Sequence, residues 1–217
     1  MQLSAETRLF WKDRAPDGLE AWFRDKTRHG SEAGGGGERT DKYVLDPSQA
    51  ELGIKQRDAK AGATPGYELK TLVTASWSVL TAGPLAGRVE MWTKVSAQTL
   101  IIDEKLLVPI RKVRWLRKFE TAGVDPVEIP LNDREQPIDE QRRGAGLPTL
   151  GCHVELTKVT NVNGNVWWTL GLEAFGDIET IEADLVATAA LMVARGLPSL
   201  PNGLPLNYPA WLRDYAR

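Results

Sequence analysis

The sequence predicts an α+β protein built mainly from antiparallel β-strands, a sheet or barrel with a few covering helices. Three observations carry this expectation. Strand-like segments follow one another closely with few helices between them, which disfavours βαβ units. Two segments keep the apolar spacing of an amphipathic helix. Read at period two, six or seven of the strand candidates place mixed acidic and basic residues on one face and more apolar residues on the other.

In chain order, ETRLFW (6–11) is the first strand. PDGLEAWFRDK (16–26) reads as a helix, with Pro16 near its start and Leu19, Trp22 and Phe23 on one side. HGSEAGGGGE (29–38) reads as a flexible loop that includes His29. Its four glycines lack the incoming strand and the following GKS or GKT of a phosphate-binding loop. Strands are then expected at TDKYVL (40–45), LGIKQR (52–57), YELKTLV (67–73), RVEMWTKV (88–95) and VPIRKVRWLRKF (108–119). Residues 121–149, rich in Pro, Gly and charge, form a long excursion. CHVELTKVT (152–160) and NVWWTLGLEAF (165–175) are two arms of a hairpin. DIETIEADLVATAALMVARG (177–196) is the best helix, with Ile181, Leu185, Ala189 and Met192 in helical register and Gly196 placed to end it. The tail, 197–217, carries Pro205, Tyr208, Pro209 and Trp211 and is expected to pack back as an aromatic anchor.

The 217 residues suffice for one well-filled domain, and no internal repeat divides them. A net charge of -2 points to neither a nucleic acid duplex nor an anionic membrane, so any electropositive site must be local. Cys152 is the only cysteine, which excludes an intrachain disulfide and suits a reducing compartment. The N-terminal segment has no apolar h-region and no run approaches 18 apolar residues, so a cytoplasmic protein with neither signal peptide nor membrane span is expected. Oligomeric state is not legible.

The charged strand faces carry the functional reading. Lys55 and Arg57 share a face with Gly53, opposite Leu52, Ile54 and Gln56. The same alternation pairs Glu68 with Lys70, Glu90 and Lys94 with Trp92, Lys112 with Arg114, Glu6 with Arg8, Glu155 with Thr157, and Glu173 with Gly171 and Thr169. If these faces met water, the protein would be a sheet with one wet side. If the sheet closes, they line an interior, and a barrel of about eight strands has room for side chains or one small ligand. Unpaired charges there would be costly, so a charged lumen is expected to hold a charged ligand. Lys55, Arg57, Lys70, Lys94, Lys112 and Arg114 suit a polyanion. Glu6, Glu68, Glu155 and Glu173 suit a hard cation such as Mg2+ or Mn2+.

The order of these segments resembles the CYTH, or triphosphate tunnel metalloenzyme, superfamily. ETRLF sits where that family carries E-x-E-x-K, and RTDKYVL is similar to its strand ending in D-x-Y. LGIKQR, YELKTLV and IRKVRW resemble its basic strands, and HVELTKV and LGLEAFG its two closing strands. The resemblance implies an eight-stranded antiparallel β-barrel, or tunnel, of the CYTH type across a single domain, 1–217. It implies binding of a triphosphate-bearing or polyphosphate ligand, with hydrolysis using Mg2+ or Mn2+. On this reading Glu68 and Glu155 are catalytic. Arg8, Lys55, Arg57, Lys70, Lys94, Lys112 and Arg114 bind substrate. Glu6, Glu155 and Glu173 hold metal. The first motif departs from the pattern. With Glu6 as its first Glu, Arg8 replaces the second and Phe10 the lysine. With Glu6 as the second, Ser4 replaces the first and Arg8 stands in for lysine, the gentler alignment. Gly171 and Thr157 also stand where further carboxylates would be expected. The alternative is therefore a non-catalytic phosphometabolite-binding module with a degenerate metal site.

Remaining features read as structural. Cys152 beside His153 is too small a set for zinc, and Cys152 is expected in the core. No G-x-S-x-G elbow is present. Trp167 and Trp168 must point to opposite faces, and Trp92 is expected to pack in the core. Asn163-Gly164 invites a two-residue type I′ turn, which would pair Val162 with Asn165 and Glu155 with Leu172. Glu155 and Glu173 would then face opposite ways, so a loop of odd length or a β-bulge is expected instead.

Overall fold

The computed structural model describes residues 2–45, 48, 50–56, 66–80, 82–97, 100–140, 142 and 148–216. Its strands are β1 (Gln2–Lys12), β2 (Gly34–Val44), β3 (Leu52–Gln56), β4 (Tyr67–Leu80), β5 (Gly87–Ala97), β6 (Leu107–Glu120), β7 (Val127–Ile129), β8 (Gly151–Thr160), β9 (Val166–Phe175) and β10 (Leu204–Pro205). Four helices are described: α1 (Leu19–Arg24), α2 (Lys26–His29), α3 (Ile181–Ala194) and α4 (Tyr208–Tyr215). Eight strands follow the order β1-β5-β4-β3-β2-β6-β8-β9, and β9 pairs back onto β1. Every pairing is antiparallel, so the sheet is a closed eight-stranded barrel. All eight expected strands are present. The short β7 adds to the end of β6 within the excursion, and β10 pairs with β1 beyond the end of β5.

Closure separates two cores. Outward-facing Ala5, Leu9, Val154, Leu156, Leu170 and Leu172 pack with Trp22 and Phe23 of α1 and with Ile181, Leu185, Ala189 and Met192 of α3. Cys152 is fully buried there, and burial pushes its thiol up to about 12. Gly196, at φ 74°, ends the α3 region as expected. The second core lies inside the barrel at one end. Phe10, Tyr43, Ile110, Val159 and Trp167 converge there, and Trp211 and Leu212 of α4 pack among them. Trp211 is fully buried and stacks on Phe10 at 5.5 Å. Asn207 caps α4 by accepting from the Ala210 N–H at 2.8 Å, and Asn161 donates to the Tyr215 carbonyl at 2.9 Å. The tail thus plugs the barrel end. Trp167 and Trp168 do point opposite ways: Trp168 is outside, stacked on Trp115.

Three expectations are corrected. The glycine run is not a loop: residues 34–37 begin β2, with a register shift between Gly35 and Glu38. A Cβ on Gly34 would sit 2.8 Å from the Leu131 Cβ, and one on Gly35, at φ 91°, 2.7 Å from the Arg114 carbonyl oxygen. Glycine here lets the strand cross close to its neighbours. The 16–26 helix is split, because the Asp25 side chain accepts from the Thr27 and Arg28 N–H groups and starts a second short helix. His29 ends that helix and is buried, not in a loop. Among the described residues, no helix is long and apolar enough to cross a membrane.

Candidate functional site

The inward strand faces surround a cavity of about 600 Å³. The aromatic plug floors it at one end, and Glu135, Pro148 and Thr149 of the excursion border it toward the other. Nine Lys or Arg side chains and six Glu side chains line it, so the wall carries excess positive charge. Glu6, Arg8, Lys55, Glu68, Lys70, Lys94, Lys112, Arg114, Glu155 and Glu173 are all on that wall. Arg57 lies outside the described residues.

The closing hairpin explains how Glu155 and Glu173 come to face the same way. Asn161 and Asn165 close a three-residue loop, Val162, Asn163 and Gly164, with Gly164 at φ 80°. The Asn161 side chain accepts the N–H groups of Asn163 and Asn165 at 3.1 and 2.9 Å, which fixes this longer turn. The ladder then runs without a register shift, pairing Glu155 with Gly171 and His153 with Glu173. An odd loop keeps both carboxylates inside, and no bulge is needed.

The charges form three neighbouring groups. In the first, Lys70 contacts Glu6 and lies 3.3 Å from Glu173, while Ser4 donates to Glu6 at 2.6 Å. Lys94 reaches Glu68 at 3.6 Å and Glu173 at 3.9 Å, and Lys55 reaches Glu68 at 2.7 Å. In the second, Arg8 and Arg114 donate to Glu155 at 3.2 and 3.0 Å, and Arg114 Nε donates to Glu135 at 2.9 Å. In the third, Lys112 lies 3.3 Å from Asp41 and donates to the Tyr43 hydroxyl, and Arg39 approaches Asp41 at 3.5 Å.

These neighbours set the protonation states. Burial would raise the Glu155 carboxyl, but Arg8 and Arg114 outweigh it and hold it well below the usual carboxylate range. Glu173 is likewise pulled down to about 2, burial being overcome by Lys70 and Lys94. Burial wins at Glu6, which is raised despite Lys70. Burial also lowers Lys112 to about 7 against the pull of Asp41, and lowers His153 to about 4, leaving that imidazole neutral at pH 7.

Arg39, Asp41, Tyr43, Glu135 and Tyr208 belong to this wall or its ion pairs and are not among the site residues expected from the sequence, although Asp41 and Tyr43 form the D-x-Y of RTDKYVL and Tyr208 belongs to the expected aromatic anchor. Arg39, Asp41 and Tyr43 keep the period-two signal and were there to be read. Glu135 sits in the irregular excursion and Tyr208 at the start of α4, where no periodicity points inward. The Tyr208 ring faces Lys112 at 4.2 Å and Arg8 at 4.8 Å. Trp92, also in the wall, is 2% exposed and donates to Glu90 at 3.1 Å, which fits a packing role.

A divalent ion held by Glu6, Glu155 and Glu173 would need their oxygens to converge. Instead each is turned to a cation: Glu155 to Arg8 and Arg114, Glu6 and Glu173 to Lys70. The Arg8 guanidinium lies over Gly171 so closely that a Cβ there would sit 2.5 Å from its Cζ. Among the described residues, no three His, Cys, Asp or Glu side chains group as a metal site. The donor set in this arrangement does not fit Mg2+ or Mn2+.

Comparison of the chain with protein-family models and with curated proteins gives no match.

Proposed function

We propose that the barrel binds a phosphate-chain anion, a triphosphate-bearing metabolite or inorganic polyphosphate, as a CYTH-like module whose metal site is degenerate. The observation that carries this reading is the wall itself: nine basic side chains against six carboxylates around about 600 Å³. That volume falls in the range of small-molecule sites. Without a ligand Arg8, Lys55, Lys70, Lys94 and Arg114 rest on carboxylates of the same wall. A chain of phosphates offers several of them stronger, two-point acceptors at once, which arginine matches best. A longer anion should therefore be rewarded over a single phosphate.

The alternative, hydrolysis with Mg2+ or Mn2+ using Glu68 and Glu155, would require Arg8 and Lys70 to leave their carboxylates when metal enters. Calorimetric titration with tripolyphosphate and with orthophosphate tests the binding reading, and tighter binding of the longer anion is expected. Equal affinities would overturn it. Release of phosphate from tripolyphosphate or ATP in Mg2+ or Mn2+ would favour the hydrolase instead.

A further inference from the structure

We propose that the guanidinium of Arg8 is a built-in cation standing where a divalent ion would otherwise sit, so that the chamber takes its phosphate chain as the metal-free anion. The proposal rests on the phosphate-chain reading above and goes further, in naming the ionic form of the ligand and the residue that selects it.

Ladder geometry places Arg8 at the centre of the acidic residues. Arg8 is the cross-strand partner of Gly171, and Gly171 is the partner of Glu155 on the other side. Glu6 and Glu173 form the next inward pair along the same β1–β9 ladder. An ion shared by Glu155, Glu6 and Glu173 would have to occupy the space over Gly171, and the guanidinium is already there. A Cβ at Gly171 would meet Arg8 Cζ, Nη2 and Nη1 at 2.5, 2.6 and 2.9 Å. Only a residue without a side chain leaves that seat open.

The seat is also shaped to hold the group. Nη1 donates to Glu155 at 3.2 Å and to the Thr169 hydroxyl at 3.3 Å, and the Tyr208 ring lies against the guanidinium at 4.8 Å. A guanidinium carries five N–H donors in a fixed fork. Glu155 and Thr169 use donors on one nitrogen, which leaves the fork able to turn a second edge toward a phosphate. Arg8 can then do two things a metal would do, neutralise Glu155 and present positive charge to the chain, with no exchangeable ion. A Mg2+ entering beside it would face Arg8 and Lys70 as like charges, and a phosphate chain already complexed to Mg2+ would bring less negative charge to the wall.

The test uses metal alone and ligand alone. Mn2+ uptake by the ligand-free protein is followed by the loss of the free-ion electron paramagnetic resonance signal. Wild type is expected to take up none, whereas Arg8→Ala and Arg8→Gln, which vacate the seat by different side chains, are expected to bind one Mn2+ per chain, the ion then displacing the flexible Lys70 ammonium from Glu6 and Glu173. Uptake by wild type, or failure of both variants to bind, overturns the proposal. Tripolyphosphate is then titrated in EDTA and in Mg2+. Wild type is expected to bind in EDTA and no tighter in Mg2+, and Arg8→Ala to lose about 10- to 100-fold in EDTA. Gly171→Ala, which keeps Arg8 but displaces its flexible tip, is expected to weaken binding in EDTA as well. A wild type that binds only in Mg2+ overturns the proposal. If tripolyphosphate binds in neither buffer, the phosphate-chain reading falls, while the Mn2+ comparison still decides whether Arg8 fills a metal position.

Discussion

Glu6 and Glu173 stand directly opposite each other on the β1–β9 ladder, and the ammonium of Lys70 lies against both. Facing carboxylates destabilise a sheet unless a cation separates them. Here the two respond unequally. Burial raises Glu6, while Lys70 together with Lys94 draws Glu173 down to about 2. Lys70→Met should therefore leave two facing carboxylates with Lys94 alone, at 3.9 Å from Glu173. A loss of about 3 kcal/mol is expected, at the low end for breaking a buried pair because these side chains keep some contact with water. Adding Glu6→Gln should recover much of it. Urea denaturation reads both effects as midpoint shifts at constant slope. An unchanged midpoint for the single variant would refute this account.

Arg114 sits between Glu155 and Glu135 and joins the barrel wall to the excursion. In the proposed complex its fork turns to phosphate. Arg114→Ala should weaken tripolyphosphate binding by about 1.5–3 kcal/mol, the range for hydrogen bonds to charged groups. Orthophosphate binding should change less, because a single phosphate can settle among the other cations. Calorimetry on both anions checks the difference, and an equal loss for the two would contradict a chain extended along the wall.

Much of the barrel was legible because closure is written in alternation. Lys55, Lys70, Lys94, Lys112 and Arg114 each sit at even spacing from another polar residue, and a period of two survives whatever the strands pair with. The turn at Asn163-Gly164 was legible only through its consequence, since the Asn161 side chain that lengthens the loop gives no stronger signal than any other polar turn residue. The glycine run misled because composition speaks of flexibility, while the reason for Gly34 and Gly35 is the approach of Leu131 and of the Arg114 carbonyl. Those neighbours are distant in sequence. The place of Glu135 and Tyr208 in the chamber was hidden for the same reason: Glu135 reaches it from the irregular excursion and Tyr208, legible only as part of the aromatic tail, from the first turn of α4, each set by tertiary packing and not by a repeat.

His29 predicts an acid-sensitive latch outside the chamber. Its Nε2 contacts the Trp22 carbonyl at 3.0 Å and its Nδ1 faces Arg195 Nη1 at 3.3 Å. The carbonyl needs an N–H and the guanidinium needs an acceptor, so the network assigns the neutral tautomer with the proton on Nε2. Burial, with Arg117 nearby, lowers the imidazole from 6.5 to about 4. Between those values the unfolded chain binds the proton and the folded one does not, so stability present above pH 6.5 is lost as pH falls toward 4. The contribution is on the order of 3 kcal/mol. His29→Gln, which can donate to Trp22 and accept from Arg195, should flatten the stability profile over this window relative to wild type. Parallel profiles for the two proteins would dismiss the latch.

Lys112 gives the clearest pH signature of ligand binding. It is 4% exposed, against Asp41 and the rings of Tyr43 and Tyr208, and burial lowers its ammonium from 10.5 to about 7. Between pH 7 and 10.5 the folded protein binds fewer protons here than the unfolded chain, so this residue makes stability rise with pH across that window. A bound phosphate chain acts the other way on the amine, because added negative charge favours the ammonium. At pH 8 the ligand-free amine is mostly neutral, and binding should draw a proton from solvent, up to one per chain. Affinity should accordingly fall as pH rises above 7. Calorimetric titration with tripolyphosphate at pH 8 in two buffers of different ionisation enthalpy measures that uptake directly. Lys112→Met should abolish it and flatten both pH dependences. Buffer-independent heats in the wild-type protein would mean that Lys112 does not meet the ligand.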